Sequence, residues 1–154
     1  RRGARKRMTY EEAVDLSRYQ DPATIDEILR TARTIAIVGL SSKPNRPSYG
    51  VAAYLQRQGY RIIPVNPAEQ EVLGERAYPS LLDVPEPIDV VDVFRRPEVT
   101  PDIARDAVAV GAKVFWLQLD IINPEAIAIA EQGGLTVIVD RCTAIEHQRW
   151  KRGT

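Results

Sequence analysis

The residues best suited to chemistry in this chain are one small loop and the cations around it. Gly39-Leu40-Ser41-Ser42-Lys43 follows directly on an apolar run, and Arg46, Tyr49 and Gly50 come soon after. A glycine lets backbone pass close to a ligand, and the two serines offer hydroxyl donors. Lys43 and Arg46 bring positive charge to the start of a helix predicted near Ser48, whose free amides and dipole point the same way. Together these make an anion site, most naturally for phosphate. Arg95-Arg96 adds two cations after a later run, and a ligand with more than one phosphate group would use both clusters.

Other chemistries are less well furnished. Cys142 and His147 are the only cysteine and histidine, five residues apart, with Asp140 and Glu146 nearby. A Cys–His–acid nucleophile can be drawn from them, but the spacing places no activating partner on the thiol, and a buried lone cysteine usually serves as small core. A small enzyme acting on a nucleotide-linked substrate would use Asp120, Asp140 or Cys142 as its reactive group. One cysteine excludes an internal disulfide and a cysteine-cluster zinc site, and no metal ligand set is expected. The first loop lacks G-x-G-x-x-G, and Asn66-Pro67 stands where a nicotinamide site would place an acid for the ribose. NAD is disfavoured on both counts. A Walker sequence is also absent.

These loops need elements to hold them. Five short apolar runs recur: Thr34–Val38, Arg61–Val65, Ile88–Phe94, Lys113–Leu117 and Leu135–Val139. Continuous runs of this kind suit parallel strands buried on both faces. Asp89 and Asp92 interrupt the third run, which places it nearer an edge. Pro64 requires an unpaired or bulged position in the second. Helical periodicity covers Ser48–Arg57, a stretch opened by Thr100 as N-cap and Pro101, and a stretch from Asn123-Pro124 to Gly133-Gly134. One or two further helices are predicted over Thr9–Leu16 and Ala23–Leu29, and at most a short helical turn around Ser80–Leu82. The alternation predicts an α/β fold: a three-layer, Rossmann-like, doubly wound parallel sheet of about five strands with an extra N-terminal helix. Ligands bind such sheets at the carboxyl ends of the strands, where the strand order reverses.

The 154 residues suit a single domain, read here as residues 9–154, behind a basic stretch at 1–8. That stretch carries five basic side chains in its first seven residues and is expected to be loosely ordered, or processing sequence ahead of Met8. The chain as a whole has 21 basic and 21 acidic residues, which argues against a nucleic-acid partner. No apolar run nears the roughly 18 residues that span a bilayer. A cytoplasmic setting without membrane contact is the simplest inference.

The stretches IVGLSSKPNRPSYGVAAYLQRQGYRIIPVNP, EVLGERAYPSLLDVPEPIDVVDVFRRPE, GAKVFWLQLDIINPEA and GLTVIVDRCTAIEH together resemble the small stand-alone coenzyme A-binding proteins. Their fold is similar to the CoA-binding domain of succinyl-CoA synthetase. The likeness covers roughly residues 25–150 and implies CoA or acyl-CoA as bound ligand, in a carrier, sensor or docking role. By position it implies phosphate contacts from Gly39, Ser41, Lys43 and Arg46, and Ser42, Tyr49 and Gly50 complete the candidate binding residues of this loop. Val65, Asn66 and Pro67 would border the adenosine, Phe94, Arg95 and Arg96 would form the far wall, and Gln118 would face the pantetheine. Two positions depart from the resemblance. Ala68-Glu69 stands where a basic residue often follows Asn-Pro, and Asp120 stands where glycine is usual. The synthetase's phosphorylated histidine belongs to a separate domain and has no counterpart in His147, so no ligase activity is implied. The reading leaves room for a protein partner or a homo-oligomer.

Overall fold

In the computed structural model, residues 15–154 are described; the basic stretch 1–8 and most of the helix predicted over Thr9–Leu16 lie outside them. Strands β1 (Thr34–Val38), β2 (Arg61–Val65), β5 (Val90–Val93), β6 (Val114–Leu117) and β7 (Thr136–Val139) form one parallel sheet, in the order β2-β1-β5-β6-β7. A short hairpin, β3 (Glu71–Val72) and β4 (Glu75–Arg76), forms a separate two-stranded sheet that packs beside β2, with Val72 in the same core as Ile62. Its turn is Leu73-Gly74, both at positive φ. The helices are α1 (Pro22–Thr31), α2 (Pro47–Arg57), α3 (Thr100–Ala109), α4 (Pro124–Gln132) and α5 (Thr143–Arg152).

The period-two geometry of a strand sorts each apolar run onto two faces. Ala36, Val38, Val91, Val93, Phe115 and Leu117 point toward α3 and α4 and pack on Ala104, Ala107, Ile127 and Ala130. Ile35, Ile37, Val90, Trp116 and Ile138 point the other way, onto Ile25 and Leu29 of α1 and Ala52 and Leu55 of α2. Trp150 of α5 packs against the same cluster. Two cores on one sheet make the expected three layers.

Local sequence explains several element ends. Asp21 caps α1 by accepting from the Thr24 amide at 3.0 Å, and Asn123 caps α4 by accepting from the Ala126 amide at 2.9 Å. Thr100 is not the cap of α3. A 3₁₀ turn over Pro97–Val99 precedes the helix, Val99 occupies the cap position, and the Thr100 hydroxyl donates to the Pro97 carbonyl at 2.7 Å. Leu16 falls in a 3₁₀ turn, Leu16–Tyr19, and Leu81–Asp83 forms another. Pro64 needs no bulge. Arg61 donates to the Arg33 carbonyl and Val65 accepts from Gly39, so alternate residues face β1, and Pro64 faces the outer side of this edge strand.

The largest correction concerns β5. Its two aspartates suggested an edge, yet it lies at the centre of the sheet. Asp89 stands just before the strand and accepts from the Arg33 and Thr34 amides at 2.8 and 3.0 Å, which fastens the start of β1. Asp92 is fully buried on the α5 side, where its carboxylate accepts from Gln118 Nε2 at 2.5 Å and from the Thr143 hydroxyl at 3.0 Å. Gln118 Nε2 also donates to Thr143 Oγ1 at 2.9 Å, closing a three-membered ring of polar groups inside the apolar core. A buried polar group is tolerated when paired in this way.

Burial pushes the Asp92 carboxyl up to about 7 against the pull of its two hydrogen bonds. The folded chain therefore holds a proton there between about pH 4 and pH 7 that the unfolded chain has released. Stability falls as pH rises through that window, by up to roughly 4 kcal/mol, and levels off above it. Asp92→Asn should remove this slope while keeping the ring, as read by urea unfolding midpoints at pH 5 and pH 8.

Candidate functional site

The strand order reverses between β1 and β5: β1 leads into α2 on one face of the sheet, and β5 leads through a 3₁₀ turn into α3 on the other. Their carboxyl ends part there and leave a crevice. Three strand ends are tied together beneath it. The Gly39 amide donates to the Val65 carbonyl at 2.8 Å, and the Phe94 amide donates to the Val38 carbonyl at 2.8 Å. Gly39 has φ +88°, and a Cβ on it would lie 2.5 Å from the Phe94 carbonyl oxygen. No side chain fits that position.

Above this junction lies an open cleft of about 270 Å³ lined by Gly39, Ser41, Arg46, Pro47, Ser48, Phe94, Arg95, Arg96 and Ile121. A smaller cavity of about 110 Å³ shares Arg95 with it and is walled by Val38, Val65, Pro67, Pro79, Ser80, Leu81, Ile103 and Asp106. One crevice thus gathers Gly39, Ser41, Arg46, Phe94, Arg95 and Arg96, and its neighbour takes Val65 and Pro67. Ser48, Ile121 and the Pro79–Leu81 wall were not anticipated. They become neighbours only through the fold.

The cations are not equivalent. Arg96 is exposed and reaches Glu98 at 3.7 Å. Arg95 is half-buried, lines both cavities and makes no ion pair among the described residues. Arg46 stands at the N-cap of α2, where no side chain caps the helix and Pro47 occupies its first turn. The positive end of the helix therefore faces the cleft with a guanidinium beside it. Lys43 is exposed on the loop and lines neither cavity.

The loop amides are engaged within the chain rather than free. Ser41 N donates to Ser48 Oγ at 3.1 Å, Ser42 N to Glu69 Oε2 at 2.8 Å, and Lys43 N to Ser41 Oγ at 3.1 Å. Asn66 bridges the two loops, its Nδ2 donating to the Leu40 carbonyl at 3.1 Å while its Oδ1 accepts from the Ala68 amide at 2.9 Å.

With this geometry in view, comparison with known proteins is decisive. The family described as "CoA binding domain" matches residues 33–148. The chain belongs to that family. It is 45% identical to YneT of Bacillus subtilis (strain 168) over 125 residues, covering 81% of this chain and 93% of YneT. A hypothetical protein from Pyrococcus horikoshii OT3 has a solved structure that superposes with a TM-score of 0.85 at 42% identity, covering 87% of this chain and 94% of that one. A more distant likeness, 26% over 83 residues, is to Acetate--CoA ligase [ADP-forming] II of Archaeoglobus fulgidus; it covers 53% of this chain and 12% of the ligase. The CoA-binding family thus includes stand-alone chains of this size as well as one portion of larger enzymes.

Among the remaining positions, Gln118 lies 3% exposed in the ring with Asp92 and Thr143 and does not line the cleft. Tyr49 packs, half-buried, against the α1–α2 core, and Gly50 is exposed in the first turn of α2 with open space around it. Asp120 has φ +66°, the left-handed conformation that glycine favours, so the glycine's geometry is kept with another residue. Its amide donates to Asp140 Oδ1 at 2.7 Å, and Asp140 is itself left-handed at φ +60°. Cys142 occupies the N-cap of α5, a helix the sequence reading did not predict. Burial raises its thiol above the ordinary range, so it is held protonated. His147 Nδ1 pairs with the Tyr54 hydroxyl at 2.8 Å, and its ring stands edge-on to Tyr54, Tyr60 and Trp150. Cys142 and His147 form no hydrogen bond with each other among the described residues.

Gly39→Ala combines a positive φ with a backbone clash and should cost at least about 2 kcal/mol, measured as a drop in the urea midpoint. An unchanged midpoint would mean that the β1–β5 junction can open without loss.

Proposed function

We propose that this chain binds coenzyme A or an acyl-CoA in the crevice between the ends of β1 and β5, as a carrier, sensor or docking protein and without catalysis of its own. Family membership supplies the ligand class. The observation that carries the placement is the cleft where Arg46, Arg95 and the uncapped start of α2 converge over Gly39. Phosphates would lie on the Gly39–Arg46 loop, with Arg95 between the two cavities. The nucleoside end would occupy the smaller cavity beside Val65 and Pro67, where apolar walls suit a flat base and Asp106 offers an acceptor.

The non-catalytic reading draws on the state of the reactive groups. The Cys142 thiol is buried and held protonated, His147 is committed to Tyr54, and Asp92 is sealed in its ring. Among the described residues, the cleft lining holds no histidine or carboxylate that could act as base to Ser41 or Ser48.

Calorimetry with CoA, dephospho-CoA, ATP and NAD tests the ligand. CoA should bind best and NAD worst; tighter NAD binding would reject the assignment. Arg46→Ala and Arg95→Ala should each weaken CoA by about 1–3 kcal/mol, the scale of charged hydrogen bonds. Arg96→Ala should weaken it less, because that side chain is already near Glu98, whereas Arg46 and Arg95 have no acid partner among the described residues. Thioester turnover that disappears in Cys142→Ala or Asp120→Asn would show instead that the chain is an enzyme.

A further inference from the structure

We propose that Glu69 is a built-in competitor for the phosphate loop: its carboxylate holds the Ser42 amide, a phosphate-bearing ligand takes that amide only by displacing it, and Glu69 thereby sets the affinity of the site for anions. This rests on the CoA reading. Of the three loop amides, those of Ser41 and Lys43 donate to neutral hydroxyl oxygens, whereas that of Ser42 donates to a carboxylate at 2.8 Å. The chain itself thus places an anion on the exposed rim of this loop, next to Ser41, which lines the larger cavity, while Ser42 lines neither.

The carboxylate is presented, not stranded. The Glu69 amide donates to the Asn66 carbonyl at 3.2 Å, and the Asn66 amide donates to the Tyr78 carbonyl at 2.8 Å. Asn66 Nδ2 reaches the Leu40 carbonyl, so the turn carrying Glu69 is fastened to the loop it serves. Glu69 is half-buried between exposed Ala68 and Gln70. It makes no ion pair among the described residues, so its place is not explained by neutralising Lys43 or Arg46. A phosphate and a carboxylate repel at hydrogen-bonding distance, and one amide proton cannot serve both well. Occupancy by Glu69 therefore lowers the fraction of molecules ready to bind, and the apparent affinity falls by that fraction.

The test is calorimetry of the full chain with CoA, comparing wild type, Glu69→Gln and Glu69→Ala, together with the Ser42 amide resonance in ¹⁵N spectra. Both variants should bind CoA roughly ten-fold more tightly, because each removes the charge. CoA should move the Ser42 resonance of the wild type, and the bound forms of wild type and Glu69→Ala should coincide at Ser42. Equal or weaker binding in both variants would make Glu69 a brace for the loop and overturn the inference while leaving the CoA reading intact. A Ser42 resonance unmoved by bound CoA overturns it likewise, and needs no variant to fold. Binding by neither wild type nor variants overturns the CoA reading and this inference together, whereas binding by the variants alone supports the competitor in its strongest form.

Discussion

The approach of Gly39 to the Phe94 carbonyl is the contact on which the crevice depends. Two parallel strands end side by side there while their chains depart to opposite faces of the sheet. The left-handed turn at Gly39 allows the first chain to leave without pushing the second away. From that turn follow the path of the 40–46 loop, the entry of α2 and the position of Arg95 between the two cavities. A side chain at residue 39 would disturb all of them, because the atom it meets is backbone rather than a movable side-chain end.

Polar groups in the interior serve the same arrangement from below. Asp92 lies one residue before the end of β5 and binds both the residue that follows β6 and the first residue of α5. Such a ring stabilises only when every member is paired, and here each donor meets an acceptor. It positions the exits of two neighbouring strands and the start of α5 relative to one another, an orientation that apolar contacts alone leave loosely specified. Asp89 acts similarly at the opposite end of the sheet, where its carboxylate takes two amides at the start of β1. Both aspartates are structural, one buried within the central strand and one just ahead of it.

Charge around the crevice is sorted by the company each group keeps. Arg61, Arg105 and Arg149 are each held by two acids. Arg46 and Arg95 have no such partners among the described residues, and they flank the cleft. The acid nearest the loop, Glu69, takes an amide instead of a guanidinium. Net neutrality of the chain therefore coexists with a locally positive crevice, and the balance of that crevice is tuned by a single carboxylate.

Much of this was legible in the residues themselves. The five apolar runs, the Asn123 cap, the glycine–serine loop and the paired arginines are local signals, set by periodicity, capping chemistry and backbone freedom within a few residues. They determined the parallel α/β fold and identified the loops that form the crevice. Tertiary structure decided the rest. Nothing within residues 88–94 tells that β5 is central, because Asp92 is made tolerable by Gln118 and Thr143, 26 and 51 residues away in the chain. The basic residues of α5 hid a helix whose buried face is small, and Gln118 turned inward because its partner lay on the neighbouring strand. Local sequence cannot tell Arg95 from Arg96; their surroundings can, since one lies between cavities and the other beside Glu98. Glu69 marks the same boundary. Its sequence neighbours showed only a departure from a basic residue, whereas the packing of the second loop on the first gave its carboxylate an amide to hold.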